Sequence, residues 1–205
     1  MKVKKERARE NFLALLEAAG KLFRLHGIDA VSVTRICQTA GLSSSALQGK
    51  YASKEDLAAD AVSYTIHTVN RFIADGAGAA APSLSGQLDY FLSVEHRDDP
   101  ASGCAMTALV SEIGRMGPDT SERFAQGFSE LVDIFQESLL AGSRDTEDRA
   151  TAMTLVATLI GSVSVARAVA KGDPKLSDEL LRHARRMLGG LAREHLMAGD
   201  RGDCS

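Results

Sequence analysis

Glycine and proline punctuation constrains this chain more than any other feature. Gly27, Gly41, the stretch 76–82, Pro100, Gly117-Pro118, Gly142 and Gly172-Asp173-Pro174 cut the 205 residues into short lengths. Nearly every length carries apolar residues at i, i+3, i+4 and i+7, the spacing with which an amphipathic helix buries one face. None alternates convincingly with the period of two that a half-buried strand needs. The expected fold is therefore all-α, with about nine helices. They are read over Lys4–His26, Val33–Ala40, Ser43–Lys50, Lys54–Asp75, Ser83–Glu95, Ser102–Arg115, Asp119–Leu140, Thr146–Lys171 and Leu176–Met197. Ser32 and Ser43 stand where N-caps belong, and Ser53 with Asp56 three residues on makes a capping box. Gly27 and Gly41 sit where a left-handed residue ends a helix.

Charge divides the chain unevenly. Residues 1–56 hold ten Lys/Arg against six Asp/Glu, and residues 57–205 hold fourteen against twenty-one, within a net charge of −3. A head of +4 on a body of −7 points to a polyanionic partner for the head alone, or to a solvated basic terminus. Lys2, Lys4, Lys5, Arg7 and Arg9 read as a flexible basic arm or such a terminus.

Cys37, Cys104 and Cys204 show no paired spacing and no Cys/His cluster of zinc type, so neither metal nor cofactor is expected, and a reducing cytoplasm is the expected compartment. The first residues do not read as a signal peptide. The apolar run Leu155–Ala166 stops at Arg167, short of the roughly 20 residues of a bilayer span, and reads as a buried helix. Nucleophile-elbow, His-Glu-x-x-His and strand-borne Gly-rich signatures are missing, which weighs against an enzyme.

The segment Val33–Lys50 reads as two short helices about a three-residue turn, Gly41-Leu42-Ser43. That geometry lets a second helix project into a groove about 12 Å wide. Leu16-x-x-Ala19, Leu22-Phe23, Gly27, Val33-x-x-Ile36, Ala40-Gly41-Leu42-Ser43, Leu47, Tyr51 and Ser53-Lys54-Glu55-x-Leu57 follow in an order and spacing that resembles the TetR family of bacterial transcriptional regulators. The resemblance implies a helix-turn-helix DNA-binding domain over residues 1–53 and an effector-binding and dimerisation domain over 54–205. It also implies a ligand-responsive regulator, a repressor released from palindromic double-stranded DNA by a small molecule. A helical adaptor that binds protein without DNA is the alternative.

Apolar matching positions build a small core, which leaves the polar ones to face DNA: Thr34, Arg35, Ser44, Ser45, Gln48, Lys50, Tyr51 and Lys54. Gln can read adenine, while Ser, Thr and Lys hold phosphates. Gln48-Gly49-Lys50 departs from the Tyr and large polar residue common in the family, so no base contact is carried over to Gln48.

Apolar walls with a few polar handles suit a small ligand. On that ground Tyr64, His67, Thr68, Arg71, Phe91, Cys104, Met106 and Phe128 are the candidate effector residues. Gly103-Cys104 resembles a pair in drug- and electrophile-responsive members of the family, with a small buried hydrophobe as the other reading of Cys104. Along the last two helices Leu155, Leu159, Val163, Ala166, Leu181, Ala184 and Leu188 form stripes assigned to a homodimer interface. Gly189-Gly190 marks either a close backbone approach or an irregular helix.

Overall fold

The computed structural model describes residues 2–43, 50–78, 82–140 and 146–199. Among them are nine helices and no strand: α1 (Lys2–His26), α2 (Val33–Thr39), α3 (Lys54–Ala74), α4 (Leu84–Phe91), α5 (Val94–Asp98), α6 (Ala105–Ile113), α7 (Pro118–Leu140), α8 (Thr146–Ala170) and α9 (Pro174–Gly199). The all-α reading holds. The helix expected over Ser43–Lys50 falls mainly outside the described residues.

Local chemistry sets the boundaries near the N-terminus. Gly27 takes φ +82° and closes α1. Ser32, extended at φ −84° and ψ 150°, accepts the Arg35 N–H and starts α2. Gly41 at φ +68° ends it, with Leu42 N–H bonded to Cys37 O at 2.9 Å and Gly41 N–H to Gln38 O at 3.1 Å. These two bonds are the paired closure of a Schellman stop, which needs a left-handed residue at that place. At α3 the capping box closes in both directions: Asp56 N–H donates to Ser53 Oγ at 3.1 Å and Ser53 N–H to Asp56 Oδ2 at 3.0 Å.

Two boundaries differ from expectation. Ser83–Glu95 is two helices, because Ser93 turns extended and its hydroxyl accepts the His96 N–H, starting α5. Leu92 carries the apolar rhythm across the break, so periodicity alone hides it. The helix placed from Ser102 begins at Ala105, after an extended Cys104. At the other end of the chain the basic residues expected as an arm lie within α1.

The chain forms two compact units, residues 1–68 with 100–127 and residues 69–99 with 128–205. In the first, Leu15, Ala19, Phe23, Ile36, Leu57, Ile66, Met106 and Leu109 are buried. Packing there is close: a Cβ on Gly20 would collide with the Thr65 hydroxyl. The Arg24 guanidinium, held part-buried in the same unit, donates to the carbonyls of Pro100 and Ala101.

In the second unit Phe91, Leu88, Leu131, Phe135 and Leu139 form a core with the inner faces of α8 and α9. Phe91 meets Tyr90, His96 and Phe135 at ring-centroid distances of 5.4–5.9 Å. Residues 149–170 of α8 are apolar and long enough to cross a membrane by length and composition. Burial of Leu155, Val156, Leu159, Ile160, Val163 and Ala166 inside the unit accounts for that composition.

Candidate nucleic-acid interface

The first unit carries the described part of the expected DNA-facing set. Ser44, Ser45 and Gln48 lie outside the described residues. Thr34, Arg35 and Lys50 are exposed, and Lys54 and Tyr51 are half-buried. The Ser32 cap aims the first turn of α2 outward at Thr34 and Arg35, while Ile36 and Cys37 fill the interior. The Ser53–Asp56 box sets Lys54 at the start of α3.

Each cation is steadied by a partner other than a carboxylate. Arg35 Nη2 donates to His26 Nε2 at 2.9 Å. Lys50 Nζ lies 3.5 Å from the centroid of the Phe12 ring, and Lys54 Nζ donates to the Asp29 carbonyl at 3.0 Å. Partial desolvation pulls the Lys50 ammonium down from its ordinary value, against the opposing field of Asp60. Among the described residues none of the three forms an ion pair with a carboxylate. Arg35 and Lys54 are positioned in this way, as phosphate neutralisation requires, while Lys50 also lies in the field of Asp60.

Tyr51 points its chemistry inward. Its hydroxyl donates to Asp60 Oδ2 at 2.8 Å, and Asp60 Oδ1 meets Arg123 at 2.8 Å. Burial, then the bond to Asp60, pushes the phenol well above its ordinary range. A hydroxyl engaged in this way anchors the residues before α3 and is not a free phosphate donor.

The eight effector candidates are not gathered into one described site. Tyr64, His67, Thr68, Cys104 and Met106 belong to the first unit, and Arg71, Phe91 and Phe128 to the second. Tyr64 donates to Glu17 Oε1 at 3.0 Å, and Thr68 to the Tyr64 carbonyl at 2.8 Å. Phe91, Cys104 and Met106 are fully buried core. None of the eight lines the three cavities described here. A cavity of about 400 Å³ in the first unit is bordered by Ile28, Lys54, Glu55, Glu112 and Arg115. Its two glutamates are engaged, Glu112 by the Ile28 N–H and Glu55 by the Gly117 N–H, each at 2.7 Å. In the second unit a cavity of about 340 Å³ lies along α8 and α9. Another, of about 550 Å³, lies among α3, α4 and α7 with Gln87 in its wall. Aromatic content pointed to core rather than cavity. The legible sign of Gln87 was an amide placed in the apolar register Leu84, Leu88, Phe91.

The residues assigned to a homodimer interface lie on α8 and α9. Leu155, Leu159, Val163, Ala166, Leu181 and Leu188 are buried where α8 and α9 pack on each other within one chain, and Ala184 is half-buried. The apolar residues left outside on these helices are Met153, Val165, Leu176, Met187 and Leu191. The helix runs unbroken through Gly189-Gly190, and a Cβ on Gly190 would meet open space, so no backbone of this chain makes the close approach.

The second unit also holds a polar cluster with no place in the expected sites. Arg97 Nη1 donates to Ser177 Oγ at 2.8 Å and Asp178 Oδ1 at 2.5 Å, and Arg167 donates to the carbonyls of His96 and Arg97. His96 donates from Nδ1 to the Phe91 carbonyl at 2.9 Å. Burial pushes its pKa down to about 4, offset in part by that bond, so it stays neutral. Among the described residues no group of three or more His, Cys, Asp or Glu is placed to hold a metal.

These features define an all-helical protein with a capped, cationic N-terminal helix-turn framework. Residues 15–61 match the family model of bacterial regulatory proteins, tetR family. No match was found among curated proteins. Solved structures share the fold along most of their length. A TetR transcriptional regulator from Legionella pneumophila is 16% identical, with 87% of this chain and 95% of that one covered and a TM-score of 0.69. The reduced form of NemR from E. coli is 15% identical, with 87% and 94% covered and a TM-score of 0.69. A transcriptional regulator from Rhodococcus sp. Rha1 is 21% identical, with 89% and 96% covered and a TM-score of 0.68.

Proposed function

We propose that this protein is a ligand-responsive DNA-binding transcriptional regulator of the cytoplasm, a repressor released from a palindromic operator when a small molecule binds. The observation that carries the reading is the set Arg35, Lys50 and Lys54, held by imidazole, ring and carbonyl without carboxylate neutralisation. They flank residues 44–49 within the family-matched segment. The chemistry is that of a binding protein, not an enzyme.

A homodimer is part of the proposal. Met153, Val165, Leu176, Met187 and Leu191 leave apolar surface on the outer sides of α8 and α9, where a second copy would bury it. Two-fold pairing places two recognition segments about one helical turn of DNA apart, or a multiple of it. The test is a mobility shift of the full chain on the DNA beside its own gene. A saturable, salt-sensitive complex at an inverted repeat is expected, and binding to none of that DNA would overturn the proposal.

A further inference from the structure

We infer that the exposed beginning of α1 is a second DNA-backbone surface, a ridge on which Lys5 and Arg9 extend the cationic line of Lys50 along one face of the helix. The inference rests on the reading of the chain as a DNA-binding regulator, and it adds a contact outside the helix-turn-helix segment.

The ridge follows from the register of α1. Lys5, Arg9, Phe12, Leu16, Ala19 and Phe23 recur at alternating spacings of four and three, so they share one face of the helix. Leu16, Ala19 and Phe23 are buried, Phe12 is half-buried, and Arg9 and Lys5 are exposed. The stripe that serves as core in the later turns becomes cationic where the protein stops covering it. Phe12 is the junction, because Lys50 Nζ stands 3.5 Å from its ring centroid. At about 1.5 Å per residue, Arg9 lies about 4.5 Å and Lys5 about 10.5 Å further along the axis. One strand of a DNA duplex offers a phosphate about every 3.4 Å of axis, so the ridge spans about three of them.

These two cations are uncommitted. Among the described residues neither pairs with a carboxylate. Glu6 and Glu10 run instead in an adjoining row with Glu17, whose Oε1 accepts the Tyr64 hydroxyl of α3 at 3.0 Å. Glu6, three residues before Arg9, lies at the edge between the rows and forms no ion pair with it. An anionic membrane surface would call for apolar anchors among the cations, but from Lys5 to Asn11 the one apolar residue is Ala8. Continuity with Lys50 in the same unit and side-chain charge without a partner favour the phosphates of a duplex.

The test titrates the full-length protein with the duplex beside its own gene and with a random-sequence duplex of equal length, over a range of salt concentrations. Lys5→Gln combined with Arg9→Gln is the ridge variant. Arg7→Gln is the control, since Arg7 is exposed too and, two residues from either ridge cation, stands on the opposite face. Gln keeps the helix propensity, and both variants are expected to melt with wild type. On both duplexes the ridge variant is expected to lose about two from the salt slope per protomer, while Arg7→Gln keeps the wild-type slope. A ridge variant with the wild-type slope, or an Arg7→Gln protein that loses as much per charge removed, overturns the inference. The two duplexes separate the claims. Preference for the promoter duplex with no change of slope in the ridge variant rejects the ridge alone. A face-dependent slope without promoter preference rejects the regulator reading alone, and binding to neither duplex at low salt rejects both.

Discussion

Two sets of cations, one in each compact unit, are held in different ways. Near the N-terminus Arg35, Lys50 and Lys54 rest on an imidazole, a ring and a carbonyl. In the second unit Arg97 closes on Asp98 and Asp178, Arg149 on Asp133, and Arg185 on Asp89. The carboxylates respond: the Arg185 hydrogen bond holds Asp89 below its ordinary value, and Arg97 does the same for Asp98. A cation paired inside its own fold has little field left for a partner, whereas one steadied by a neutral group keeps its charge for an incoming phosphate. The same residue types thus close on carboxylates in one set and on other partners in the second.

The comparison breaks if the second unit stands on its ion pairs rather than on its apolar core. Phe91→Ala should cost about 3–5 kcal/mol, as expected for emptying a fully buried aromatic site. Arg185→Ala should cost under about 1 kcal/mol, because its partner Asp89 is largely exposed. Chemical denaturation of both variants checks the order, and a reversed order would refute it.

A second effect belongs to His96. Its folded pKa is near 4, below the ordinary 6.5, so the unfolded chain takes up the proton first as pH falls. Its contribution is intact above about pH 7 and is lost between 6.5 and 4, amounting to about 3 kcal/mol when complete. Denaturation of wild type and His96→Gln across that range should show the wild-type slope reduced in the variant.

In the first unit Ser53→Ala should cost about 1 kcal/mol by opening the reciprocal cap before Lys54. The smallest stability effect belongs to Arg35→Ala, within about 0.5 kcal/mol, because the side chain is exposed. That substitution sharpens the comparison most, since it should reduce the salt slope of DNA binding by about one while Arg185→Ala leaves the slope unchanged.

What was legible in the sequence was local. Ser32, Gly41 and Ser53 with Asp56 act on backbone groups within a few residues, so their roles follow from type and spacing alone. Exposure is not local. A stripe such as Leu155, Leu159 and Val163 announces that it will be covered, and within the single chain these three are already buried. The same holds for Phe91 and Met106, whose burial in the core is set by the fold. Gln87 carried a readable sign, an amide in apolar register, yet only the fold exposes its missing partners.

The central claim is that the N-terminal cations are kept for DNA, and the most direct measurement is the salt dependence of binding to the DNA beside the protein's own gene, for wild type and Arg35→Ala. The account predicts a saturable complex whose affinity falls steeply with salt, with a slope about one shallower in the variant. No complex at low salt, or identical slopes for the two proteins, would contradict it.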